Sequence, residues 1–149
     1  MSIRTNYEKW YEGNDYYWGL EPGSFLDELI KLCPSSPGKT VLDIGCGEGK
    51  DAVYMAEQGY AVTAFDLTEN GIRKTNALAE DRGVKVNAYV DDVNDFMMDK
   101  QFDIIYSTGT VQRGKTKWMK WFFYVYYPLH LVIIGIIRLK IYGDVNICL

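Results

Sequence analysis

Apolar residues along the chain fall into four short runs, separated by longer stretches with helical spacing. Residues 40–44 (TVLDI), 61–65 (AVTAF), 84–90 (VKVNAYV) and 102–106 (FDIIY) are rich in β-branched and aromatic side chains. Each run ends at a glycine, an acid or a serine, and such bounded runs predict buried parallel strands. Between the first two, residues 50–58 place Ala52, Met55 and Ala56 at i, i+3 and i+4 on one helical face, with Gly59 as the stop. Residues 69–82 predict a second helix, with Thr68 as N-cap and Gly83 as its end. Only about ten residues join the third and fourth strands, enough for one helical turn. Upstream, residues 25–32 predict a helix that starts from Ser24 with Asp27 three positions on, a capping-box pattern, and stops before Pro34. This order predicts an α/β fold: an open, doubly wound, Rossmann-like and mostly parallel sheet.

The first strand runs into a glycine-rich loop that opens a helix, Asp43-Ile-Gly45-Cys46-Gly47-Glu-Gly49. Glycines there let the backbone turn tightly and approach a ligand, and the N–H groups of the helix start face that ligand. Two adenosine cofactors compete for such a loop. A nicotinamide dinucleotide brings an anionic pyrophosphate, which the carboxylate of Asp43 does not suit. Its G-x-G-x-x-G fingerprint also needs glycine where Lys50 stands. S-adenosylmethionine has no phosphate, and it carries a cationic ammonium and sulfonium that a carboxylate does suit. Asp66, at the end of the second strand and 21 residues after Gly45, can accept ribose hydroxyls from either cofactor.

The segment from Asp43 to Gly49 resembles motif I of the class I S-adenosylmethionine-dependent methyltransferases, over a match of roughly residues 38–110. The resemblance implies that Asp43, Gly45, Cys46, Gly47 and Gly49 hold the cofactor. It implies that Asp66, with Leu67 beside it, takes the ribose, and that Asp92 and Val93 receive the adenine. Asp91 is the alternative by one position. Residues 102–107 are similar to motif IV, whose strand end, here Ser107, faces the transferred methyl group. Within the superfamily, the segment YWGLEP at 17–22 and the pattern Gly59-Tyr60-x-Val62-x-x-Phe65-Asp66 resemble the tellurite-resistance methyltransferases. These are understood to methylate small chalcogen oxyanions or thiol-like nucleophiles.

Six of the first eighteen residues are aromatic: Tyr7, Trp10, Tyr11, Tyr16, Tyr17 and Trp18. They form either a lid over the methyl-transfer site, with Tyr11, Tyr17, Trp18 and Ser107 as candidate catalytic residues, or an amphipathic segment packed on the sheet. Transfer to a soft nucleophile needs in-line geometry more than a strong base. His130, the single histidine, sits in an apolar run and reads as packing, and Cys46 reads as a small loop residue without reactivity.

Composition alters this picture only toward the C-terminus. The chain has 149 residues, a formal net charge of −4 and 48% hydrophobic residues. That fits one soluble domain with a small-molecule substrate, and not a nucleic-acid surface. Three cysteines without CxxC spacing point to no metal site and no disulfide scaffold, and to a cytoplasmic setting. Residues 1–112 carry 19 acids and 10 bases, whereas residues 113–149 carry one acid and six bases. The division predicts a cofactor-binding domain over 1–112, aromatic segment 1–37 included, and a divergent apolar and basic tail over 113–149.

The tail has three readings: a further helix and a strand at 129–141, a membrane anchor built on the uncharged stretch 121–137, or a change of reading frame near Arg113. The third is preferred, because acids vanish abruptly and a seven-stranded fold would be left incomplete at its C-terminal end. An S-adenosylmethionine-dependent methyltransferase is therefore the expected function. A non-catalytic remnant of that fold and, more distantly, an NAD-dependent oxidoreductase are the alternatives.

Overall fold

Helix and strand boundaries follow the polar and apolar pattern closely, and they depart from it where side chains compete for backbone groups. The computed structural model describes residues 3–97 and 100–108, which belong to one compact unit. The readings made for His130, for the tail 113–149 and for its anchor or strand lie outside the described residues. Among the described residues the elements are α1 (Ile3–Trp10), α2 (Phe25–Leu32), β1 (Thr40–Ile44), α3 (Lys50–Glu57), β2 (Ala61–Asp66), α4 (Glu69–Asp81), β3 (Val86–Val90) and β4 (Ile104–Tyr106). None of these helices is long and apolar enough to cross a membrane.

The four strands are all parallel, in the order β3-β2-β1-β4. From β1 the chain therefore moves outward to β2 and β3 on one side, and β4 returns to the other side. The crevice at the ends of β1 and β4 is the place where doubly wound sheets bind ligands. Register sets what lines it: Asp43 of β1 stands opposite Ala64 of β2 and Tyr106 of β4.

The core forms around β1. Val41 and Leu42 are fully buried, and Val41 clusters with Leu26 of α2, Ala52 and Met55 of α3, Val62 and Ala64 of β2, and Ile104 of β4. Full burial of each such large aliphatic side chain stabilises the fold by about 1.5–3 kcal/mol. Val53 turns to the other side of α3 and meets Leu78 and Ala79 of α4. On β2, Phe65 is stacked between Tyr89 and Phe96 at centroid distances of 6.1 and 4.5 Å.

Thr68 caps α4 as predicted: it has extended backbone angles, and its hydroxyl accepts from the Gly71 N–H at 3.3 Å. Ser24 does not cap α2. Its backbone is already helical (φ −58°, ψ −22°), so its hydroxyl cannot reach back to the first turn. The turn closes instead from Leu26 N–H to the Gly23 carbonyl, and Asp27 accepts from the Tyr54 hydroxyl.

β3 starts at Val86 rather than at 84, because the Val84 N–H is used at the end of α4, on the Ala79 carbonyl. β4 is shortened to three residues because Asp103 turns away to accept both the N–H and the hydroxyl of Thr40, at 2.7 and 2.8 Å. A single turn of helical type separates these strands at residues 92–96, closed by i+3 and i+4 bonds to the Asp92 carbonyl and not continued into a helix. Residues 92–96 wrap around Asp92, whose carboxylate takes the Asn94 N–H and whose carbonyl takes those of Asp95 and Phe96.

Candidate functional site

At the end of β1 the backbone passes through a left-handed conformation at Gly47 (φ +57°) and again at Gly49 (φ +87°), before α3 begins. Both positions are also crowded. A Cβ on Gly49 would come within 2.5 Å of the Thr75 hydroxyl, and one on Gly47 within 3.1 Å of the Tyr11 hydroxyl. Glycine is required at each on conformational and steric grounds. Helix α4 grips the loop from behind: Gly71 lets it approach the Gly47 carbonyl, and the Thr75 hydroxyl lies 3.3 Å from that carbonyl.

Three carboxylates converge on this loop. Asp43 is almost completely buried, with only 1% of its surface exposed. One oxygen accepts from the Tyr106 hydroxyl at 3.2 Å, and Oδ1 has no hydrogen-bond partner among the described residues. Burial, reinforced by the nearby charge of Asp51, raises its pKa from 3.8 to about 8, against the opposing pull of the Tyr106 hydrogen bond. Tyr106 is in turn held firmly in its neutral, donating form, first by burial and then by the charge of Asp43. Asp51 accepts from the Gly23 N–H at 2.7 Å and from the Thr108 hydroxyl at 3.2 Å. Such an unpaired oxygen in a buried cradle is what a cationic group entering from the crevice would satisfy.

Asp66 is half-buried, and its carboxylate orders the loop itself. Oδ2 accepts from the Gly47 N–H at 2.9 Å, while Oδ1 accepts from both the N–H and the hydroxyl of Thr68, at 2.9 and 2.6 Å. A carboxylate offers about four acceptor positions, so one remains on Oδ2. The loop contacts thus leave one acceptor position for a ribose hydroxyl. Leu67 beside it is half-buried.

Asp91 and Asp92 follow β3 at the same sheet end, where the Asp91 N–H reaches the Asp66 carbonyl. Asp92 spends one oxygen on both the N–H and the side chain of Asn94, and Asp91 accepts from the Asp92 N–H. Val93 and Ser107 are exposed. The Cys46 thiol is pushed well above its usual pKa, first by burial and then by the charges of Asp43 and Asp66, so it stays protonated and unreactive.

The aromatic segment divides into buried and exposed members. Tyr11 is buried over Gly47, and its hydroxyl accepts from the Trp18 indole N–H at 2.9 Å. Trp10, Tyr17 and Trp18 are 43–52% exposed, with Trp10 and Tyr17 stacked face to face at 5.1 Å. Sequence reasoning missed what fastens this segment. Glu48, inside the glycine loop, accepts the N–H groups of Tyr17 and Trp18 at 3.1 and 3.2 Å. It also pairs with Lys74 of α4 at 2.7 Å, both side chains being nearly fully buried. Glu8 of α1 likewise caps α4, accepting from Glu69 and Asn70. No local spacing announces partners that lie 26 or 61 residues apart.

A parallel sheet that ends in this glycine cradle has the class I methyltransferase fold. Over residues 24–118 the chain matches the family described as tellurite resistance protein TehB, and it belongs to that family. The match extends beyond residues 38–110 at both ends. The probable S-adenosyl-L-methionine-dependent methyltransferase TehB of Haemophilus influenzae is 37% identical over 73 residues, 49% of this chain and 25% of that protein. The ubiquinone biosynthesis O-methyltransferase of Rickettsia felis is 37% identical over 65 residues, 44% of this chain and 27% of that protein. The chain thus spans about a quarter of the length of these relatives. A solved structure concerned with conversion of a disulfide bond into a thioacetal group during echinomycin biosynthesis superposes with a TM-score of 0.63 at 29% identity, covering 72% of this chain and 47% of that one.

Proposed function

We propose that this chain binds S-adenosylmethionine in the crevice at the ends of β1 and β4 and belongs to an enzyme that methylates a small molecule. The observation that carries the proposal is the buried, unpartnered Oδ1 of Asp43 beside a glycine cradle. A dinucleotide phosphate brought there would meet a carboxylate, whereas an ammonium or sulfonium group would meet a complementary charge. In this reading Asp43 and the Gly45–Gly49 loop, with Cys46 as a small filler, hold the amino acid portion of the cofactor. Asp66 offers its remaining acceptor position to a ribose hydroxyl, with Leu67 alongside. Asp92, or Asp91 by one position, and the Val93 N–H receive the adenine. When bound, the cofactor supplies an electrophilic methyl group. The chain binds and orients it, and the aromatic segment of Tyr11, Tyr17 and Trp18 shields the transfer site from water while Ser107 faces it.

The acceptor we favour is a soft one, a thiol or a chalcogen oxyanion. Support comes from the family's description and from the sulfur chemistry named for the echinomycin structure. A soft nucleophile needs alignment rather than deprotonation. The free thiols of Cys33 and Cys46 fit a reducing, cytoplasmic setting. Residues 1–112 form the cofactor-binding domain in this proposal, and 113–149 a separate tail. Titration calorimetry with S-adenosylhomocysteine, S-adenosylmethionine and NAD tests the reading. Binding of the two sulfur ligands without NAD is expected, and NAD binding alone overturns it.

A further inference from the structure

Glu48 and Lys74 form an ion pair with almost no solvent access, in which side-chain exposures are 2% and 3%. Buried ion pairs of this kind are weak evidence for stability, since an apolar pair of similar size often serves as well. What this pair does is therefore read from its other partners. The second oxygen of Glu48 takes the Trp18 N–H, and the oxygen that meets Lys74 also takes the Tyr17 N–H. The Lys74 ammonium donates in addition to the Asp15 carbonyl and lies 5.3 Å from the centre of the Tyr16 ring. Both charges thus end on the backbone of the aromatic segment, at three anchor points: Asp15, Tyr17 and Trp18. Glu48 itself stands between Gly47 and Gly49, so the segment is fastened to the loop that forms the cradle. Tyr11 completes the link: it lies over Gly47 and receives the Trp18 indole N–H.

We infer that Glu48 and Lys74 are positioning residues, a buried latch that couples the placement of Tyr11, Tyr17 and Trp18 to the conformation of the cofactor loop. The inference deepens the cofactor reading above and rests on it. Cofactor bound against Gly47 stiffens the loop and with it the carboxylate that holds the segment. Coupling of this kind is reciprocal, so an unlatched segment weakens the cofactor by the same factor that the cofactor tightens the segment.

The test uses the full chain and the double variant E48L/K74M, which keeps the site packed with apolar side chains and removes the anchors together. E48Q, which keeps one acceptor oxygen, serves as the graded control. Hydrogen exchange is followed at the Tyr17 and Trp18 amides and at the β1 amides, with and without S-adenosylhomocysteine, and affinity is measured by calorimetry.

In the unmodified protein the ligand should slow exchange at Tyr17 and Trp18 by about 5- to 150-fold beyond its effect on β1, the usual range of such couplings. The double variant should expose both amides, leave β1 protected, lose that ligand-dependent slowing, and bind S-adenosylhomocysteine weaker by the same factor. E48Q should fall between. Unchanged exchange at Tyr17 and Trp18 in E48L/K74M overturns the latch. Faster exchange with undiminished ligand affinity overturns the positioning role and leaves a packing contact. A wild-type protein that does not bind S-adenosylhomocysteine overturns the cofactor reading itself, while the ligand-free exchange still decides whether the latch holds the segment.

Discussion

Asp43→Asn is the substitution whose effects the site constrains most tightly, because burial and charge act on one atom with opposite consequences for folding and for binding. In the folded protein the Asp43 carboxyl keeps its proton up to about pH 8, against 3.8 when exposed. Below pH 3.8 it is protonated in both states and costs nothing. Above that, the unfolded chain ionises while the folded one does not, so stability falls by about 1.4 kcal/mol per pH unit until the folded group also ionises. At pH 7 the accumulated loss is about 4 kcal/mol.

Asparagine cannot ionise and escapes this loss. It can still accept the Tyr106 hydroxyl, but it buries an amide N–H where Oδ1 has no partner, which costs about 1–3 kcal/mol. The variant should therefore be about 1–3 kcal/mol more stable than the wild type at pH 7. It should be less stable at pH 4, with the two curves crossing near pH 5. Urea unfolding at intervals from pH 4 to pH 8 measures this directly. Parallel curves for the two proteins, or a variant that is less stable at pH 8, would refute the electrostatic account of Asp43. In the proposed cofactor reading the same carboxyl ionises to face a cationic group, so wild-type binding at pH 7 should release close to one proton. Calorimetry in buffers of different ionisation enthalpy should detect that proton, and the more stable variant should bind weakly and release none.

Asp66→Asn should weaken S-adenosylhomocysteine binding by about 1–3 kcal/mol, through one charged acceptor and the Gly47 anchor together; calorimetry that finds equal affinity places the acid outside the site. Gly49→Ala should destabilise the fold by about 2 kcal/mol or more, since a left-handed backbone and a contact with Thr75 are both violated. A denaturation midpoint unchanged from wild type would contradict that. Asp92→Ala should open the turn over residues 92–96 and weaken adenosine binding, whereas Asp91→Ala should leave the turn intact; the reverse order of affinities moves the adenine contact to Asp91.

Parallel strands, their helices and the glycine loop were legible in the sequence because they depend on local chemistry. β-branched runs, glycine at left-handed positions and the Thr68 cap are each decided within a few residues. The departures arise where distant partners compete. Asp103 shortens β4 because Thr40 offers it two donors across 63 positions, and Ser24 loses its cap because the chain enters α2 already helical. The site divides in the same way. Asp43 and the glycines could be read from their order, but the buried state of Asp43 depends on Tyr106 from another strand. The latch of Glu48 and Lys74 could not be read at all. In sequence each is one more surface-type charge, and only the packing of α4 behind the loop brings them together out of water. With α4 packed behind the loop the Glu48 carboxylate is out of water, and its charge is met there by Lys74.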